Sequence, residues 1–245
     1  MSPAEPTETG HPRSGSATGV PQRESARPTG DPRIGIFGGS FNPIHLGHLL
    51  LAETARETLA LDRVVFIPTH LPPHKSSAGL LPGAARLELI QAAIQGHPAF
   101  VASDIELQRR GASYSIDTVR ALRQQLPRAK LFLLVGQDML SVKWKDWNEL
   151  TRLCTVVAAA RPGSRALGSA RHFLATPRRG APGSVSRERL RFKVKTLDMP
   201  QVDIASSDIR KRLQAGRSIR YLVPPVVHRL IRQRGFYGSP KEGGA

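Results

Sequence analysis

Arg33-Ile-Gly-Ile-Phe37, followed by Gly38-Gly-Ser-Phe-Asn-Pro-Ile-His45-Leu-Gly-His48, decides the fold of this chain. The first five residues form a short apolar run that enters a glycine pair, the pattern of a buried strand opening into a turn. A helical pattern follows over 46–59, with Leu46, Leu49, Leu50 and Ala55 at helical spacing. The alternation then repeats. Val64–Ile67 reads as a strand stopped by Pro68, 84–95 as a helix and Phe100–Ala102 as a weak strand. Ile116–Leu126 reads as a helix ended by Pro127, and Leu131–Val135 and Thr155–Ala160 as strands. Ser206–Leu213 and Pro225–Arg234 read as terminal helices. Strands apolar on both faces and alternating with helices predict an α/β fold with a parallel sheet covered on both sides. Right-handed crossovers make it a Rossmann-like, doubly wound sheet, and ligands of such sheets bind beyond the strands' carboxyl ends. Those ends are Phe37, Ile67 and Val135, and each is followed by a polar motif.

The rest of the chain bounds the domain. Residues 1–31 are rich in Pro, Gly, Ser, Thr and Arg without apolar periodicity. Such composition cannot offset its ordering entropy, so a disordered tail is predicted there. A single domain is predicted over 32–238, with a flexible end over 239–245. The tail lacks the apolar core of a signal peptide, and its acidic residues argue against a mitochondrial transit peptide. No stretch approaches a membrane span, so no membrane partner is expected. The lone Cys154 lies in the apolar run Leu153–Ala160 and reads as a buried thiol in a core strand. A reducing, cytoplasmic compartment fits.

The net charge of +17 is concentrated: residues 161–245 hold nineteen basic residues against five acidic. RNA-binding modules interleave aromatics with their bases. This region offers Phe173, Phe192, Tyr221, Phe236 and Tyr237 in no such pattern, which disfavours nucleic acid. Phosphorylated small molecules are the alternative partner for a basic surface. Arg161–Arg191 reads as a long Gly/Pro/Ser/Arg loop.

Within the opening motif, Gly38 and Gly39 can bring backbone N–H groups against a phosphate chain, at the N-terminus of the following helix. His45 and His48, three residues apart, share a face of its first turn, and Gly47 between them leaves room for an anion. Two imidazoles there suit charge stabilisation at a phosphoryl centre. A third metal ligand is not apparent, so no protein-bound metal is expected. A second phosphate-binding helix start is read at Ile204-Ala-Ser-Ser-Asp-Ile-Arg210, with Ser206 or Ser207 as N-cap and Arg210 in the first turn.

Together these residues resemble the H-x-G-H nucleotidyltransferase superfamily, which also includes class I aminoacyl-tRNA synthetases. Four further segments are similar, in order, to motifs of bacterial nicotinate-nucleotide adenylyltransferases. They are Pro72-Pro-His-Lys75, Arg109-Arg-Gly-Ala-Ser-Tyr-Ser-Ile-Asp-Thr118, Gly136-Gln-Asp138 with Trp144, and Ile204 to Arg210. Ser115 and Ser207 stand where the family has Thr, and Ala205 where it has Ser. Pantetheine-phosphate adenylyltransferases and cytidylyltransferases share the first motif but not the 111–118 loop with Trp144.

The resemblance implies direct in-line attack of an acceptor phosphate on the α-phosphorus of ATP, with Mg2+ entering on the ATP. His45, His48, Lys75 and Arg210 are then expected to stabilise the transition state. Gly38, Gly39, Ser40, Phe41, Gly47, Ser206 and Ser207 are expected to bind ATP together with His45, His48 and Arg210. Thr69, Lys75, Tyr114, Ser115, Asp138 and Trp144 are expected to hold nicotinate mononucleotide. Ser115, at the N-cap of its helix, would favour a carboxylate over a carboxamide. Oligomeric state is left open.

Overall fold

The computed structural model describes residues 30–72, 79–109, 111–136, 139, 142–159, 194–200 and 202–239. Lys75, Asp138, the 161–191 stretch, residues 1–29 of the expected tail and the last six residues lie outside them.

The chain begins its sheet with β1 (Arg33–Gly39), and continues α1 (Leu46–Thr58), β2 (Arg63–Pro68), α2 (Gly83–Ile94) and β3 (Phe100–Ala102). Then come α3 (Ser115–Gln125), β4 (Lys130–Gly136), α4 (Trp147–Leu153), β5 (Thr155–Ala159) and β6 (Val194–Leu197). Helices α5 (Ser206–Gln214) and α6 (Pro225–Arg234) follow, and a short 3-10 turn spans Phe236–Gly238. All strand pairings are parallel, in the order β3-β2-β1-β4-β5-β6. This is the doubly wound order expected from the alternation.

Period-2 alternation assigns each strand side chain to one of two cores. Phe37, Val64, Phe66, Phe132, Leu134 and Val157 face the layer of α1, α2, α5 and α6. Ile34, Ile36, Val65, Ile67, Leu131, Leu133 and Val156 face α3 and α4. Gly35 falls on the first face, where a Cβ would come within 2.9 Å of Leu61 Cδ1. That close approach lets the chain leaving α1 lie against the sheet. Among the described residues no helix is long and apolar enough to cross a membrane.

Several expectations shift. β1 runs on through Gly38 and Gly39, which pair with Ile67 and Pro68 of β2, so the strand ends later than Phe37. Cys154 is buried but caps the C-terminus of α4 just before β5, its Sγ 3.3 Å from Leu150 O. Helix α6 has the expected bounds, with Pro225 at its first position and Gly235 left-handed (φ 65°) at its end. Helix α4 and strand β6 have no counterpart in the pattern reading.

Candidate active site

Strand order reverses between β1 and β4, so the connections from their carboxyl ends leave in opposite directions and open a crevice. A cavity of about 710 Å³ occupies it. Of the described residues singled out from the sequence, all but Phe41 line this cavity.

One end is built by the β1–α1 connection. His45 is the N-cap of α1 rather than a member of its first turn, and His48 is the third helical residue. The His45 backbone N–H donates to His48 Nδ1 at 3.2 Å. A neutral imidazole that accepts at Nδ1 carries its proton at Nε2, so this bond selects the tautomer with a donor on the far nitrogen. The two rings stack with centroids 3.7 Å apart. Gly47 serves this arrangement: a Cβ there would sit 3.2 Å from the His45 ring. Its missing side chain makes room for imidazole, where the sequence suggested room for an anion. Gly38 does face open space, with nothing within 4 Å of an added Cβ.

Phe41 corrects another expectation. It is 1% exposed and packs in the core, its ring 5.0 Å from His48 and 5.3 Å from Phe37. Its φ of 44° is left-handed, unusual for a large side chain. Core packing of the ring holds that turn, and Gly39 leaves space for it, since a Cβ there would lie 3.3 Å from the ring. Phe41 therefore supports His48 from behind and does not face the cavity.

The terminal motif reaches the same loop. The N-cap of α5 is Ala205, so Ser206 and Ser207 are the first two helical residues and Arg210 the fifth, beyond the first turn. Ser206 Oγ donates to Pro43 O at 2.9 Å, and Arg210 Nη1 donates to Asn42 O at 2.8 Å. A guanidinium has five N–H groups, so the bond to Asn42 leaves donors for a ligand.

Asn42 was missed by the sequence reading and is the hub of this end. Its side chain donates to Gly79 O at 2.8 Å and accepts from Leu81 N–H at 3.1 Å and Tyr237 OH at 2.8 Å. Burial pushes the Tyr237 hydroxyl's pKa up, keeping it a neutral donor. Arg86, 1% exposed, donates from Nη1 to Ser40 O at 2.9 Å and from Nε to Leu81 O at 2.8 Å. Burial lowers its pKa, the direction expected for a desolvated cation. No local pattern marks these residues, because apart from the Arg86 bond to Leu81 their partners here are 37 to 195 positions away.

The other end is assembled from the loops after β2, β3 and β4. Thr69, Tyr114, Ser115, Trp144 and Lys145 line it. Tyr114, not Ser115, is the N-cap of α3, in extended conformation (φ −105°, ψ 136°). Ser115 and Ile116 are thus the first helical residues, whose N–H groups have no acceptor within the helix. Trp144 Nε1 donates to Met139 O at 2.8 Å and its ring lies 5.7 Å from Trp147. Lys145 Nζ sits 4.6 Å over the Tyr114 ring and 3.6 Å from Asp117. Arg120 of α3 pairs with Glu149 of α4, and with Asp146 at 3.3 Å, fixing the segment that carries Trp144 against α3. Glu106, also missed, is buried among these loops and faces the cavity. Among the described residues no group of three or more His, Cys, Asp or Glu could hold a metal ion.

The profile of the cytidylyltransferase-like family matches residues 36–212. A protein of Shouchella clausii named "Probable nicotinate-nucleotide adenylyltransferase" is 42% identical over 212 residues, 86% of this chain and 99% of its own. One of the same name from Thermus thermophilus is 42% identical over 207 residues, covering 84% and 99%. Among solved structures, nicotinic acid mononucleotide adenylyltransferase of Plasmodium falciparum, complexed with NaAD, superposes with a TM-score of 0.67 at 16% identity. That superposition covers 84% of this chain and 98% of the other, and shows likeness of fold. Identity of this extent places the chain within one branch of the cytidylyltransferase-like proteins: it belongs to the nicotinate-nucleotide adenylyltransferase family.

Proposed function

We propose that this protein transfers the AMP unit of ATP to nicotinate mononucleotide, giving nicotinate adenine dinucleotide and pyrophosphate. One observation carries the reading. A single cavity at the sheet's switch point has an imidazole pair and a guanidinium at one end. At its other end are an indole and an open helix N-terminus. The first end suits a triphosphate and the second a planar ring bearing an anion.

The step is an in-line displacement. An oxygen of the acceptor phosphate forms a bond to the α-phosphorus as the bond from that phosphorus to the bridging oxygen breaks, and pyrophosphate departs with that electron pair. No side chain need act as nucleophile, so catalysis is positioning and stabilisation of developing charge. His45, His48, Lys75 and Arg210 take that role, with His48 donating from Nε2. Gly38, Gly39, Ser40, Gly47, Ser206 and Ser207 surround the ATP. Thr69, Tyr114, Ser115, Asp138 and Trp144 hold the acceptor. Mg2+ belongs to the substrate as MgATP and offsets the charge of the leaving pyrophosphate.

The acid is preferred because the N–H groups of Ser115 and Ile116 and the positive end of α3 favour a carboxylate, by about 0.3–2 kcal/mol from the dipole. A carboxamide aimed the wrong way would leave donors unpaired, at about 1–3 kcal/mol. Pyrophosphate release from MgATP, measured across a panel of acceptor phosphates, tests the reading. Nicotinate mononucleotide should give the highest kcat/KM. Equal use of the amide nucleotide, or preference for pantetheine phosphate, would overturn it.

A further inference from the structure

The tryptophan end of the cavity is organised around a buried carboxyl that the displacement does not use. Glu106 lies between β3 and α3 and is 5% exposed. Thr118 Oγ1 donates to its Oε1 at 2.6 Å, and Arg109 Nη2 donates to the same hydroxyl at 3.0 Å. The Ser113 side chain also acts on the carboxyl, lowering the pKa that burial raises. Ser113 Oγ in turn accepts the His70 N–H at 3.1 Å, and the Ser113 N–H donates to Leu71 O at 3.0 Å.

Ser113 and Thr118 flank Tyr114-Ser-Ile-Asp117, the cap and first turn of α3. The carboxyl therefore grips the helix opening through Thr118, with the Ser113 side chain beside it, and Ser113 ties the same opening to the chain leaving β2. Burial raises the carboxyl's pKa, while the neighbouring hydroxyls and the charges of Arg109 and Arg86 act to lower it.

We propose that Glu106 is a positioning residue for the acceptor: by holding Thr118 at the first turn of α3, beside Ser113, it sets the Ser115 and Ile116 N–H groups where the acceptor's anion binds. This rests on the function proposed above and extends it to a residue that need not touch the reacting atoms. The donor end, held by Asn42, Arg86 and α5, shares none of these direct bonds.

Steady-state kinetics with each substrate varied in turn, on wild type, Glu106→Ala and Glu106→Gln, tests it. Glu106→Ala should raise KM for nicotinate mononucleotide about ten-fold while KM for ATP stays within about two-fold. Glu106→Gln should recover most of the loss, because the amide oxygen accepts from Thr118 as the carboxyl oxygen does. Equal changes in both KM values, an unchanged acceptor KM, or no recovery with Gln would overturn the assignment. If Glu106→Ala does not fold, Thr118→Val removes the hydroxyl that Glu106 holds. It should raise the acceptor KM about three-fold and leave ATP alone, and a flat result would overturn the role equally. Failure of the wild type to use nicotinate mononucleotide would sink the proposed function and this role with it. Normal wild-type turnover with flat variants would sink this role alone.

Discussion

The histidine end and the tryptophan end of the cavity are held by different means. At the histidine end one uninterrupted connection, residues 39–48, supplies both imidazoles and is pinned from outside by bonds to its backbone. Arg86 takes Ser40 O, Arg210 takes Asn42 O and Ser206 takes Pro43 O. At the tryptophan end three loops contribute side chains, and side-chain bonds hold them. Glu106 bonds to Thr118, and Arg120 links Asp117, Asp146 and Glu149. Backbone pinning by buried and half-buried partners resists deformation, as transition-state stabilisation requires. A seam of partly exposed ion pairs is worth less and yields more. Substitutions at the histidine end should therefore act on rate, and those at the tryptophan end on affinity and choice of acceptor.

The sharpest way to break this contrast is His48→Ala. Loss of a preorganised donor should lower kcat by roughly two to three orders of magnitude, with ATP affinity changed far less. His45→Ala should behave similarly and also weaken ATP binding, because it removes the stacked ring at 3.7 Å. Matching losses in KM and kcat would instead make His48 a ground-state contact.

Next in size is the pair Trp144→Ala and Ser115→Pro, compared on the acid and amide nucleotides. Loss of indole stacking should reduce kcat/KM for both acceptors alike, by about 1–3 kcal/mol or some five- to hundred-fold. Because Ser115 is the first helical residue, proline fits there without breaking α3 and deletes one N–H donor. Its loss should fall mainly on the acid. A Trp144 change that by itself abolished the preference would show that the indole, not the helix start, makes the choice.

Ala205→Ser probes the pinning helix. Ala205 occupies the N-cap of α5 in extended conformation (φ −119°, ψ 139°) and supplies no side-chain cap. A serine there should add about 0.5–1 kcal/mol, which for a chain of this size raises Tm by roughly 1–4 °C in a calorimetric scan. An unchanged Tm would mean the helix start is already satisfied by other groups. The smallest effect is expected from deleting residues 1–29, whose composition offers no apolar face to pack. Activity and Tm should match the full chain, and a marked fall in Tm would assign the segment a structural role.

What the sequence could determine is what neighbours along the chain determine. Apolar periodicity marked most of the strands and helices, and alternation with helices made the sheet parallel and doubly wound. The glycine pair and H-x-G-H raised the expectation of a phosphate site at the end of β1, where the cavity lies. Tertiary structure decided the rest. Serine preference pointed to Ser115 and to Ser206 or Ser207 as caps, yet packing of the incoming chain put Tyr114 and Ala205 there. The seven-residue α4 carries too little pattern to be seen and is held by Arg120 from another helix. Phe41, Gly47 and Glu106 likewise acquire their roles from rings and hydroxyls that only folding brings near. Asn42 and Tyr237, 195 positions apart, share one hydrogen bond. Local preferences act within a few residues, whereas such bonds exist only once the crossovers have brought distant segments together.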